Sequence, residues 1–306
     1  MTIGRPLDIV FCGTGWLPMV DHLRERLPAE ARVRVRDHAR PMTDEVASAN
    51  VILPSNARID AAAIEAAREL ILIQQPAVGI EGVDLEAAKA RGVPVCNVPG
   101  ANADAVAQCA LFLILAVARR LPEARRAFAS AQIGVPLGRE LTGKVLGIIG
   151  LGKAGSKLAR VAEALGMEVL AVRSKSSRQE LEHLLERSDF VSLHCPLTAA
   201  TRGLLGEAEL ARMKRGSVVI NCARGGLIDR AALEAALTSG HLGGVGLDVF
   251  WAEPWDPADP LYARDDVVTL PHVGGSSVEV FSRVADACVE NIRRIVAGEP
   301  LLHRIV

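Results

Sequence analysis

One run of residues limits the fold more than any other part of the chain. Lys144-Val145-Leu146-Gly147-Ile148-Ile149-Gly150-Leu151-Gly152-Lys153-Ala154-Gly155 joins an apolar strand pattern to G-x-G-x-x-G, and Ser156–Leu165 then reads as an Ala/Leu-rich helix. A strand passing straight into a helix through three glycines implies parallel strands with helical crossovers. Gly150 permits the tight turn, Gly152 lets a pyrophosphate approach the backbone, and Gly155 lets helix pack closely on strand. The helix N-terminus presents N–H groups and the positive end of its dipole to phosphates. Glycines in this strand–turn–helix context point to a dinucleotide site rather than to structural turns alone. Gly150, Gly152, Lys153, Ala154 and Gly155 are therefore candidate cofactor contacts.

The end of the next strand selects between dinucleotides. An Asp or Glu about 20 residues beyond the fingerprint binds the ribose of NAD. Here Val169-Leu170-Ala171-Val172 runs into Arg173-Ser174-Lys175, with Arg178 close behind and no acid at the corner. A guanidinium and a hydroxyl suit a 2′-phosphate, and the Arg can stack on adenine. The expectation is NADP(H) preferred over NAD(H), with Arg173, Ser174 and Lys175 as contacts. The alternative is a solvated basic loop that tolerates either cofactor.

The rest of the chain agrees with layered α/β architecture. Strand patterns occur at Leu7–Cys12, Arg32–Arg36, Asn50–Leu53, Leu70–Gln74 and Val93–Cys96, separated by helical stretches such as Trp16–Leu27, Ala61–Ala67 and Leu85–Ala90. After a break at Val98-Pro99-Gly100, Asn102–Arg120 reads as a helix apolar on nearly every face, which requires burial between other elements. A second series places strands near Val145–Ile149, Glu168–Val172, Phe190–Leu193, Ser217–Asn221, Gly244–Val249 and Val267–Leu270. Ser276 is placed to cap a last helix reaching Ala297. The two breaks give residues 1–98 with 275–306 as one domain and 99–274 as the dinucleotide-binding domain.

Composition excludes several classes. Lys+Arg 35 against Asp+Glu 36 leaves a net charge of -1, so no basic field recruits nucleic acid or an anionic membrane. Aromatics are only 3%, too few for base-stacking platforms, whereas 50% hydrophobic content excludes disorder. No stretch reaches the ~18 apolar residues of a membrane span, and the N-terminus carries no signal-like run. Cysteines 12, 96, 109, 195, 222 and 288 show neither CxxC pairing nor metal spacing, so reduced thiols, no metal site and a cytoplasmic location are expected.

Several further motifs resemble one family. They are Ser192-Leu193-His194-Cys195-Pro196-Leu197-Thr198, Met213-Lys214-Arg215-Gly216, Asn221-Cys222-Ala223-Arg224-Gly225-Gly226-Leu227-Ile228-Asp229, Gly246-Leu247-Asp248-Val249-Phe250 and Pro271-His272-Val273-Gly274-Gly275. Val78-Gly79-Ile80-Glu81-Gly82-Val83-Asp84 and Asn97-Val98-Pro99-Gly100-Ala101-Asn102 fit as well, so the match spans most of the chain from about residue 76. Together they resemble the D-isomer-specific 2-hydroxyacid dehydrogenases, the group of phosphoglycerate dehydrogenases and hydroxypyruvate/glyoxylate reductases. The resemblance implies a two-domain α/β fold: a Rossmann-type doubly wound parallel sheet plus a smaller flavodoxin-like substrate domain. It also implies a homodimer formed through the nucleotide domain, near Ala105–Ala118.

The resemblance further implies a triad. Arg224 would bind the substrate carboxylate and carbonyl, His272 would act as acid/base, and Glu253, in Ala252-Glu253-Pro254, would partner the histidine. The chemistry asks for the same types. Reducing a 2-keto acid puts charge on the carbonyl oxygen; Arg offers a planar fork to the carboxylate, and a protonated His donates to the developing alkoxide. A carboxylate on the other ring nitrogen orients the imidazole. Taken singly, the His is a turn residue, the Arg a surface charge and the Glu a loop residue; their joint occurrence in these motifs carries the assignment.

By the same resemblance Val78 and Gly79 would hold the substrate carboxylate through backbone N–H groups. Asp248 would contact the nicotinamide, and Pro196, Thr201, Cys222, Ala223 and Gly274 would line the cofactor trough. His194 is expected to pack at a strand end, and Asn102 either caps a helix or faces the cleft. The sequence departs from the family at Lys153-Ala154, commonly Arg-Ile, and in a short Gly134–Gly138 loop without the usual Trp. Trp251 and Trp255 flank Glu253 and either shape the substrate side or cap the domain edge.

Glu253, not Gln, argues against formate oxidation, and the chain end at Val306 leaves no regulatory domain to expect. The resulting expectation is reduction of a glyoxylate/hydroxypyruvate-type 2-keto acid. An NAD-linked phosphoglycerate dehydrogenase-like enzyme is the alternative. A dinucleotide-sensing corepressor is the alternative of another class, and phosphonate or phosphite oxidation a remoter one.

Overall fold

β-Branched and leucine-rich runs flanked by turn residues become strands wherever both faces are covered by helices. The computed structural model describes residues 6–306. It divides into two units, one comprising the chain up to Ala101 together with Ser276–Val306, the other Asn102–Gly275.

In the first unit β1 (Leu7–Phe11), α1 (Pro18–Arg24), β2 (Ala31–Val35), α2 (Met42–Val46), β3 (Val51–Leu53), α3 (Ala61–Ala66), β4 (Leu72–Gln74), α4 (Leu85–Ala90) and β5 (Val95–Cys96) alternate. All strand pairs are parallel, in the order β2-β1-β3-β4-β5, the flavodoxin-like arrangement. Asp60 and Asp84 cap α3 and α4 by accepting the Ala63 and Ala87 N–H groups.

The second unit opens with α5 (Ala103–Ala118) and α6 (Leu121–Ala129). It continues with β6 (Val145–Ile149), α7 (Lys153–Ala164), β7 (Glu168–Val172), α8 (Arg178–Arg187), β8 (Phe190–Leu193), α9 (Glu207–Arg212) and β9 (Ser217–Asn221), and closes with α10 (Arg230–Thr238), β10 (Leu242–Leu247) and β11 (Val267–Thr269). Its parallel sheet runs β11-β10-β9-β8-β6-β7. Strand order reverses between β6 and β8, and such sheets bind ligands outside the carboxyl ends of the strands at that switch. Helix α11 (Val278–Ala297) then returns to the first unit. There the buried Asn291 donates to Gln74 at 2.7 Å, and Arg26 reaches Asp286 at 2.7 Å.

Several local expectations are corrected. Ser277, not Ser276, caps α11 by accepting the Val280 N–H; the Ser276 hydroxyl accepts the Trp16 indole N–H at 2.7 Å instead. The helix expected from Trp16 starts at Pro18, because Trp16 takes φ 58. α2 has only 5 residues, too short for periodicity to show, and α6 was unread because Arg120, at φ 53, breaks the helical path after α5. α5 is not buried all round: Phe112 and Leu115 are 46% and 40% exposed, while Ala110, Leu113 and Ile114 are fully covered.

Candidate active site

The fingerprint folds as its glycines require. Gly150 sits at φ +104, and a Cβ there would stand 2.5 Å from the Cys195 nitrogen, so the turn is pressed against the end of β8. A Cβ on Gly155 would meet the Gly150 carbonyl oxygen at 2.4 Å, which is close helix–strand packing. Gly152 differs: nothing lies within 4 Å of its missing Cβ. It is also the N-cap of α7 and brings no capping side chain, leaving that helix end open to a phosphate group. These residues fit the pyrophosphate of a dinucleotide.

At the end of β7, Arg173, Ser174 and Lys175 are exposed, and the Arg173 N–H donates to the Ser176 hydroxyl. The basic corner is smaller than the sequence implied. Arg178 turns away to Glu182 and Glu209. Beyond β8, the Thr201 hydroxyl donates to the Pro196 carbonyl at 2.7 Å and accepts the Thr198 N–H, closing the Pro196–Thr201 loop. His194 packs beside it with Nε2 2.9 Å from the Ser192 hydroxyl, and burial pushes its pKa down to about 4, leaving it neutral.

The acid/base candidate lies past β11. His272 Nδ1–H donates to Glu253 at 2.6 Å, and the other Glu253 oxygen accepts the Phe250 N–H at 3.1 Å. Burial raises the Glu253 carboxyl, but the His272 contact, the Phe250 N–H and the Arg224 charge outweigh it and hold it below its ordinary value. His272 takes φ 52, an uncommon backbone state for a side-chain-bearing residue. What holds it is Asp248, whose two oxygens accept the Val273 and Gly274 N–H groups, both at 2.8 Å. Asp248 is 1% exposed, and burial raises its carboxyl against the lowering effect of those bonds.

Arg224 stands in the turn after β9. Asn221 braces that turn by accepting the Ala223 N–H at 3.0 Å and donating to the Arg224 carbonyl at 2.9 Å. The turn is also locked to the Glu253 segment, since a Cβ on Gly225 would stand 2.1 Å from the Phe250 carbonyl oxygen. The second unit thus assembles Arg224, Glu253, His272 and the fingerprint on the carboxyl ends of one sheet. Cys222 and Ala223 sit on the same turn as Arg224, and Gly274 sits in the His272 loop.

Val78 and Gly79 belong to the other unit, in the loop after β4. Their carbonyls accept from Asn97 at 2.8 Å and Gln75 at 2.6 Å, which fixes the loop. Asn221, and Asp248 as the holder of the His272 loop, were not foreseen. Their signal was present, because each is a short polar residue ending a buried strand within a motif already singled out. The tryptophans prove to be braces. The Trp251 indole donates to the Ile228 carbonyl at 2.8 Å with Arg230 over its ring, and Trp255 packs on Phe250 with ring centroids 4.5 Å apart.

Comparison with known proteins identifies the family. The family model "D-isomer specific 2-hydroxyacid dehydrogenase, NAD binding domain" matches residues 111–274. The chain is similar to a glyoxylate reductase of Korarchaeum cryptofilum, 40% identical over 257 residues, covering 79% of this chain and 77% of that protein. It is also similar to a D-3-phosphoglycerate dehydrogenase of Archaeoglobus fulgidus, 36% identical over 267 residues, 83% of this chain but only 51% of that longer protein. Among solved structures, a Thermus thermophilus protein superposes with TM-score 0.88 at 36% identity, covering 98% of this chain and 100% of the other. The chain therefore belongs to the D-isomer-specific 2-hydroxyacid dehydrogenases, the NAD(P)-dependent oxidoreductases of small 2-hydroxy and 2-keto acids.

Proposed function

We propose that the chain reduces a small 2-keto acid of the glyoxylate/hydroxypyruvate type, with NADP(H) preferred over NAD(H). The observation that carries this reading is the 2.6 Å His272–Glu253 pair on the sheet that also bears the open Gly152 helix end. Arg224, His272 and the fingerprint would serve a dihydronicotinamide that, when bound, would supply the hydride for the carbonyl carbon. Protonated His272 gives its Nε2 proton to the oxygen as it becomes a hydroxyl, while Glu253 keeps Nδ1 protonated and the ring oriented. Arg224 binds the carboxylate with its guanidinium. Asp248 acts on His272 through the loop and on the nicotinamide as a contact.

The test is a panel of glyoxylate, hydroxypyruvate, pyruvate and 3-phosphohydroxypyruvate assayed with NADPH and NADH in parallel. Turnover of the first two with higher kcat/KM for NADPH is expected. Equal or better efficiency with NADH overturns the cofactor preference, and selective use of the phosphorylated acid favours the phosphoglycerate dehydrogenase reading of the 36% identical relative. Dinucleotide binding without turnover on any acid favours a sensor. Arg173→Asp is expected to lower NADPH efficiency about tenfold or more while sparing NADH, a change of at least ~1.4 kcal/mol.

We also propose a cytoplasmic homodimer. Phe112, Leu115, Phe128, Ile133 and Leu137 expose apolar surface on the second unit, with Phe128 and Ile133 at 87% and 98%. All six cysteines are free thiols, as a reducing compartment requires, and no single helix is long and apolar enough to cross a membrane among the described residues. Light scattering is expected to give twice the chain mass for the wild type and one chain mass for Ile133→Asp; a monomeric wild type removes the claim.

A further inference from the structure

Two thiols meet beside the proposed cofactor trough, and the proposed hydride and proton transfers use neither sulfur. Cys109 lies on α5 and Cys222 follows β9, yet their sulfurs are 4.0 Å apart. Both are free and half-buried, whereas Cys12, Cys96 and Cys288 are buried. Cys109 also lies beneath the His272 loop, its sulfur 3.4 Å from where a Gly274 Cβ would stand. Cys222 directly precedes Ala223 and Arg224. A disulfide needs its sulfurs at ~2.05 Å, so closing the pair requires a movement of about 2 Å.

We propose that Cys109 and Cys222 form a reversible disulfide in response to hydrogen peroxide, and that the bond weakens dinucleotide binding. The sulfur of one cysteine attacks one peroxide oxygen, the O–O bond breaks, one water leaves and a sulfenic acid remains. The sulfur of the other then displaces that hydroxyl as a second water, closing the S–S bond. Two thiols are oxidised and one peroxide is reduced to two waters.

Closure draws Cys109 from under Gly274 or pulls Cys222 and the Ala223 turn toward α5. The loss of binding therefore rests on the cofactor role given to Gly274, Cys222 and Ala223. A dinucleotide already bound holds the turn and loop apart and slows the closure.

The test uses the full chain, treated with hydrogen peroxide with and without NADPH. Non-reducing peptide mapping and NADPH titration by calorimetry then supply the two readouts. The expected result is a Cys109–Cys222 cross-linked peptide, about a tenfold rise in the NADPH Kd, recovery on dithiothreitol and slower linkage with NADPH present. Cys109→Ala is expected to bind NADPH as the reduced wild type does, before and after peroxide. No cross-linked peptide, a cross-link with unchanged Kd, or equal loss of binding in peroxide-treated Cys109→Ala overturns the proposal. A reduced chain that binds neither dinucleotide overturns the cofactor reading, and the cross-link map still decides the disulfide.

Discussion

His272→Gln is expected to reduce kcat by about 10²–10⁴-fold, the usual contribution of a positioned acid/base group, with the NADPH Kd unchanged. Glutamine keeps a polar side chain but has no proton of suitable acidity to give the alkoxide. Only a group acting in the transition state lowers kcat while sparing binding. Calorimetric titration and steady-state turnover of the same preparation separate the two effects, and near-normal turnover refutes the acid/base role.

A pH dependence accompanies this result. The Glu253 carboxyl lies below its ordinary value in the folded chain, so it contributes stability above the usual glutamate range. That contribution is lost as pH falls through the lowered value, and through neutral pH Glu253 remains the acceptor for Nδ1–H.

Gly225→Ala is expected to damage both stability and turnover, whereas Gly152→Ala leaves stability intact. At Gly225 the added methyl would stand 2.1 Å from the Phe250 carbonyl oxygen and 2.6 Å from the Trp251 nitrogen. Both atoms are backbone, so relief requires moving either the Arg224 turn or the segment leading to Glu253. Overpacking of this kind costs typically ~1–3 kcal/mol, and displacing a catalytic group by about 1 Å can cost ~10²-fold in rate. A fall in Tm of several degrees, with loss of turnover, is the expected outcome. At Gly152 the methyl meets nothing within 4 Å of the chain itself. Its effect should appear only as weaker dinucleotide binding, with Tm measured without ligand unchanged. A Gly225→Ala protein with wild-type Tm and kcat refutes the coupling of the two segments.

Much of the second unit was legible because its signals are local. Val145–Ile149, Glu168–Val172, Phe190–Leu193 and Ser217–Asn221 coincide with the observed strands, since each is a short apolar run between turn residues. The fingerprint was equally readable, its spacing being dictated by steric contacts within one turn. What escaped was non-local or too short. The strand-end position of Asp248 was legible, but its binding of the Val273 and Gly274 N–H groups was not, because that contact depends on β10 and β11 lying side by side. The neutralised Arg178 escaped for the same reason: its partner Glu209 is 31 residues away, on α9. The cap of α11 was misplaced by one residue, as two adjacent serines offer the same side chain and only folding assigns one to Trp16.

The brace that Asp248 places on the His272 loop has a consequence for how such a chain can change. The proposed acid His272, its carboxylate partner and the arginine turn are wired together inside a single unit, through backbone donors. Substitutions confined to the other unit, in loops such as Val78–Gly79, leave that wiring whole. A lineage can therefore vary one module while inheriting the hydrogen-bonded wiring of the other intact.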